Sequence, residues 1–201
     1  MLLTTLASAS VLLTGCAVFI PDVHDLRLLD IQPVEYGTTG IEVFGEPAHP
    51  PNYVIGRIDI ATQSDVVGIV DASGSTLWAE LTICQSPVRV VDYGVSYKGL
   101  DLFDAGLNKE IRAQYLELAG AHNPTEPFTY QVYFDPRGMQ TEMKAPQPRQ
   151  SSLYEPVDLT REPRDLCLRI GGGNELGGSF GSNTVVVPSA VLKRAFNEFP
   201  K

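Results

Sequence analysis

Few residues in this chain can do chemistry unaided: three cysteines, three histidines and one serine set among glycines. Gly177-Gly178-Ser179-Phe180-Gly181 has the letters G-x-S-x-G. A nucleophile elbow needs a strand before its serine, a helix after it and a later histidine. The run that follows, Thr184 to Val187, has the composition of a strand, and His24, His49 and His122 all precede Ser179. A glycine-rich hairpin loop accounts for the letters better. The same glycines lack the Gly-Lys-Ser/Thr ending of a P-loop and the spacing of a dinucleotide turn. The histidines are widely spaced, without H-E-x-x-H, and Asp158, Glu162 and Asp165 lack the alternating oxygen order of a calcium loop. The expectation is therefore no catalytic residue, no metal and no cofactor, with the acidic run a solvated face.

Cys16 differs from the other two cysteines because it closes an apolar, uncharged run, MLLTTLASASVLLTGC. As a helix this run spans about 24 Å, short for a bilayer crossing and typical of a signal-peptide core. Its ending, Leu13-Thr14-Gly15-Cys16, resembles the lipobox of bacterial lipoproteins: an aliphatic residue, two small residues, then cysteine. The resemblance covers these sixteen residues and implies a diacylglyceryl group on the Cys16 sulfur, removal of residues 1–15 and usually acylation of the new amino terminus. The small residues before the cysteine let a peptidase approach the backbone, and the thiolate is the nucleophile. The run departs from the pattern in having no Lys or Arg after Met1; either the amino group alone orients it or the start lies upstream. Ala17 and Val18 follow, with no Asp, which resembles the enteric pattern that sorts to the outer membrane. The implied address is the cell envelope: outer membrane, lipid-anchored, facing the periplasm.

For an exported chain, an even remaining pair of cysteines reads as one disulfide. Cys84 and Cys167 each end or occupy an apolar, strand-like run, and neither belongs to a C-x-x-C. Their bond would close a loop of about 80 residues and stabilise by roughly 4 kcal/mol in the chain-entropy account.

Composition bounds the remainder. About 185 residues follow the signal, the length of one domain. A hydrophobic share of 43% supports a proper core and argues against disorder throughout. Eighteen glycines and fifteen prolines favour turns and short strands over long helices. The net charge of −9 disfavours nucleic acid and a peripheral grip on anionic headgroups, which both need clustered Lys and Arg. No later apolar run is long enough to cross a membrane.

The pattern along the chain gives a 16–25 lipidated tether followed by a single β-rich globular domain over 26–201. Leu26 to Gln32 reads as a strand stopped by Pro33, and Ile41 to Phe44 as a short strand. Tyr53 to Ile60, Thr76 to Cys84, Val88 to Tyr97, Gln131 to Phe134 (extended back through Phe128 and Tyr130), Leu166 to Ile170 and Thr184 to Val187 also read as strands. Val66 to Val70 is a compact apolar run, and 71–75 has turn chemistry. In Thr76 to Cys84, Leu77, Ala79, Leu81 and Ile83 share one face and Trp78, Glu80, Thr82 and Cys84 the other. The pattern leaves open which face is core. Asp104 to Leu118 reads as the interior helix and Ser189 to Phe199 as a C-terminal helix capped by Ser189. Residues 136–164, with five prolines, read as a long surface excursion suited to partner contact. The fold class is mainly β: a β-sandwich, or an open antiparallel sheet, with one interior and one C-terminal helix. Trp78, Tyr93, Tyr97, Tyr130 and Tyr133 lie in strands, where core packing competes with a carbohydrate- or peptide-binding surface.

These readings point to a non-enzymatic binding, structural or assembly component of the envelope. Its partners are the bilayer, through acylated Cys16, and another envelope protein or glycan. The alternative is a periplasmic hydrolase whose site is assembled from residues distant in sequence.

Overall fold

The computed structural model describes residues 20–36, 52–86, 92–93, 95–102, 109–137, 139–142, 154–174 and 177–197. Its strands are β1 Arg27–Glu35, β2 Val54–Thr62, β3 Thr76–Ile83, β4 Asp92–Tyr93, β5 Val95–Tyr97, β6 Leu100–Asp101, β7 Phe128–Phe134, β8 Met139–Glu142, β9 Tyr154–Val157, β10 Leu166–Gly173, β11 Ser179–Gly181 and β12 Val185–Val187. The helices are α1 Val66–Ser73, α2 Lys109–Gly120 and α3 Ser189–Asn197. One sheet runs β1-β2-β7-β5-β6; the second runs β11-β10-β3-β4, with β12 also paired to β10. Strands β8 and β9 form a separate ribbon, and every ladder between these strands is antiparallel. The fold is thus mainly β and sandwich-like. Strands β4 and β5 belong to different sheets with one residue between them, so the chain changes sheet there.

Alternation builds the core. Leu77, Ala79, Leu81 and Ile83 are buried, and opposite them so are Leu166, Leu168 and Ile170. This settles which face of β3 is core, and it places Trp78, Glu80 and Thr82 outward. In the first sheet Ile31, Ile58, Ile60, Tyr130, Val132 and Phe134 face inward and are buried. Two glycines permit close approach. A Cβ at Gly56 would lie 2.2 Å from the Phe134 ring, and one at Gly172 would lie 2.1 Å from the Phe180 ring and 2.5 Å from the Thr76 carbonyl oxygen. A backbone oxygen cannot step aside as a ring can. Gly172→Ala is expected to cost about 3 kcal/mol, the upper part of the range for overpacking, read as a lower urea midpoint at unchanged slope.

Four sequence expectations change. Pro33 does not stop the first strand, because β1 is an edge strand. The Tyr36 N–H donates to the Tyr53 carbonyl at 2.7 Å, so by alternation Pro33 faces Gly56 in a non-hydrogen-bonded pair, where its missing N–H would point off the sheet. The run Val66 to Val70 is helical, giving a second interior helix. Asp65 caps it by accepting from the Gly68 N–H at 2.8 Å, and Gly74 ends it with φ of 62°. Valine composition suggests a strand, but the two caps decide otherwise. The 136–164 excursion is folded back in part, with Val157 and Leu159 buried and the Leu159 N–H bonded to the Pro136 carbonyl.

The fourth change concerns the tether. From Ile20 onward the segment belongs to the body: Ile20, Val23 and Leu26 are buried. The Val23 N–H donates to the Gly181 carbonyl, the Asn183 N–H donates to the Val23 carbonyl, and the Asn183 amide bridges the Leu26 N–H and carbonyl, each at 2.8 or 2.9 Å. The expected strand Ile41 to Phe44 and the start of the helix expected from Asp104 lie outside the described residues. So do Cys16 and residues 17–19.

Aspartates carry the pH dependence. Burial opposes ionisation of Asp25, but bonds from the Thr62 hydroxyl and the Gln63 N–H outweigh it and hold its pKa below the usual 3.8. The Gln32 amide and Ile31 N–H do the same for Asp30. A group lowered on folding contributes stability above its unfolded value that is lost as pH falls through its folded one. Asp59 has the opposite sign, since burial raises it against the pull of Arg57, 3.0 Å away. Its contribution is present at low pH and fades as pH rises through the raised value. Bonds from Ser189 lower Asp165 as well, and three lowered carboxylates against one raised predict a net loss of stability only below 3.8. Urea midpoints should hold from neutral pH down to about pH 4 and fall between there and about pH 2.5.

Candidate functional site

The serine of G-x-S-x-G sits in the second strand of a tight hairpin. Ser179, Phe180 and Gly181 pair with Gly173, Gly172 and Gly171. The Asn174 carbonyl and side chain bond the N–H groups of Gly177 and Gly178, and Gly177 has φ of 85°. The next regular element is β12, a strand, so the elbow geometry is absent. His122 stacks on Phe128 with centroids 3.9 Å apart, and its Nε2 lies 2.9 Å from the Glu126 carbonyl oxygen. Asp158 closes a turn by accepting from Thr160, Arg164 pairs with Glu162, and Asp165 accepts from the Ser189 N–H at 2.7 Å. Among the described residues no three of His, Cys, Asp and Glu are placed to hold a metal.

Cys84 and Cys167 are joined, with Cα atoms 5.0 Å apart. The bond lies on the outer face of the second sheet, where the end of β3 meets β10, beside the Cys84 N–H bond to the Asp165 carbonyl. A polar depression of about 490 Å³ opens there, lined by Gln85, Ser86, Arg164, Asp165 and Ser189 among others.

At the other end of that face lies the arrangement with the clearest binding chemistry. Trp78, half-buried, stands opposite Gly171, and a Cβ at Gly171 or Gly173 would come within 3.5 or 3.3 Å of its ring. No side chain from these two positions covers the indole, and Gly181 continues the bare floor onto β11. One rung further from the hairpin turn, Arg169 pairs across the ladder with Glu80. The Arg169 guanidinium is exposed and donates weakly to the Ser182 carbonyl at 3.4 Å. Trp78, Glu80, Arg169, Gly171 and Gly181 border a groove of about 140 Å³. An indole face beside a guanidinium can stack on a flat or weakly apolar group and bond a phosphate or carboxylate. Trp78 was readable as an exposed candidate only once β3 had a known core face. Arg169 gave no signal alone, and the trace it leaves is the glycines that alternate after it on the same face, Gly171 and Gly173.

The other strand aromatics separate from Trp78. Tyr97 and Tyr130 are buried and Tyr133 nearly so, which removes them from any binding surface. Tyr93 lies on β4, but its side chain is outside the described residues. Tyr97 packs its ring 5.4 Å from Tyr115 and 5.5 Å from Tyr130. The Tyr115 hydroxyl donates to the Asp65 carboxylate at 2.5 Å, and the Val66 N–H donates to the Tyr130 hydroxyl at 3.1 Å. Burial, then the neighbouring Tyr130 and Asp65, pushes the Tyr115 phenol far above its ordinary value; burial likewise raises Tyr130. Both stay protonated, so this cluster pins α1 and α2 to the first sheet and does no acid–base work near neutral pH. Tyr115→Phe removes a hydrogen bond to a charged group and is expected to cost about 1.5–3 kcal/mol by urea titration.

No protein-family model matches this chain, and no curated protein and no solved structure matches it either.

Proposed function

We propose that this chain is a bacterial envelope lipoprotein, held to the membrane by acyl groups on Cys16, whose β-rich body is a binding or structural component. The observation that carries the reading is the spacing of the lipobox from the body. Leu13-Thr14-Gly15-Cys16 is followed, four residues after the cysteine, by Ile20, which is already part of the core. A lipid on Cys16 would thus hold the body directly, without a long linker. Two further observations agree with it. The Cys84–Cys167 bond suits a compartment that oxidises thiols. Among the described residues no helix is long and apolar enough to cross a membrane, so attachment would rest on the lipid.

The test is metabolic labelling of bacteria expressing the full chain with an alkyne-bearing fatty acid. The expected outcome is a labelled band that resists delipidating washes and survives thioester cleavage, because its acyl chains are held through a thioether-linked glyceryl group and an amide. An unlabelled band overturns the reading.

A further inference from the structure

We infer that the hairpin end of the second sheet's outer face, with Trp78 and Arg169, lies against the headgroup layer of the membrane that holds the Cys16 lipid. The inference rests on acylation of Cys16 and adds an orientation and a contact surface to it.

The starting point is reach. Three residues separate Cys16 from Ile20, and the four residue steps between them span at most about 14 Å of extended chain. Ile20 is fixed to the body at the β10–β11 turn: a Cβ at Gly178 would lie 3.0 Å from its Cδ1. From there the segment runs beside β11 until Val23 bridges Ser182 in parallel. The chain therefore leaves the body at the hairpin end, and a lipid on Cys16 brings that end to the bilayer interface.

What that end carries suits the interface. Gly173 lies between the turn and the indole: its Cβ position is 3.5 Å from the Gly178 carbonyl oxygen and 3.3 Å from the Trp78 ring. Trp78 is the only tryptophan in the chain, and tryptophan concentrates where hydrocarbon meets headgroup. Arg169, one rung or about 7 Å further along the strand, offers donors at the height of a lipid phosphate. The overall charge of −9 rules against a broad electrostatic grip, so the contact is set by the anchor and these two side chains and should persist in high salt. The depression beside the disulfide, at the opposite end of the face, then points away from the bilayer and is open to an envelope partner.

Trp78 is its own reporter. Full chain carrying its native acyl groups is placed in phosphatidylethanolamine–phosphatidylglycerol vesicles, with or without lipids spin-labelled at the headgroup or brominated high on the acyl chain. Vesicle flotation and intact mass are measured on the same sample. The expected result is a loss of tryptophan emission with these shallow quenchers, unchanged by added salt and absent for Cys16→Ser protein mixed with the same vesicles. Acylated, floating protein whose emission the quenchers leave untouched overturns the orientation while the anchor stands. A mass without acyl groups overturns the anchor, and the orientation with it.

Discussion

Cys16→Ser protein is expected in the soluble fraction wherever its apolar leader is cleaved at another site, while the wild-type chain sediments with membranes. The size of the effect follows from lipid transfer, at about 0.8 kcal/mol for each buried methylene. One myristoyl-length chain gives a membrane association constant of only roughly 10⁴ M⁻¹, and a second makes attachment stable. Serine keeps the size and polarity of the site but cannot form the thioether, so the whole anchoring energy goes at once. Among the described residues no helix is long and apolar enough to span a bilayer, and a net charge of −9 disfavours a grip on anionic headgroups. Membrane fractionation with a carbonate wash reads the change. Equal sedimentation of both proteins contradicts the expectation.

The second large effect is on stability. Replacing both Cys84 and Cys167 with alanine should lower the unfolding free energy by about 4–5 kcal/mol, from loop-closure entropy over a sequence separation of 83 residues. A domain of this size has about 5–15 kcal/mol in total, so the variant is expected to be marginal at 37 °C. The cost should fall on the second sheet, since the bond clamps β3 to β10 where the ladder ends and β12 joins. Urea unfolding with and without reductant gives the same comparison without mutation. Coincident midpoints contradict it. Replacing only one cysteine is less informative, because it leaves a free thiol able to form intermolecular bonds.

Strand β3 shows how far sequence reading goes. Its alternation from Thr76 to Ile83 sorts the side chains into two sets without naming the core set, because that depends on what packs over each face. The opposing buried positions on β10 supply the answer, and they are far away in sequence. The disulfide was legible because the chain reads as exported and only two cysteines remain once Cys16 is set aside. Val66 to Val70 was legible only as a compact apolar run, too short for periodicity to separate helix from strand, and the deciding cues, Asp65 and Gly74, are single residues at its ends. Pro33 misled because an edge strand tolerates what a central strand does not, and edge position is a property of the whole sheet. The docking of Ile20 and Val23 against 178–182 was invisible for the same reason: a short extended segment has no periodicity to announce its partner. The groove at Trp78 combines residues from β3, β10 and β11, and only the ladder brings them together.

The most direct test of the account is the intact mass of the chain extracted from bacterial membranes with detergent. The expected mass is that of a polypeptide beginning at Cys16, heavier than residues 16–201 by a diacylglyceryl group and an amide-linked acyl chain, and lighter by two hydrogens for the Cys84–Cys167 bond. A full-length, unmodified chain that still begins at Met1 would contradict it.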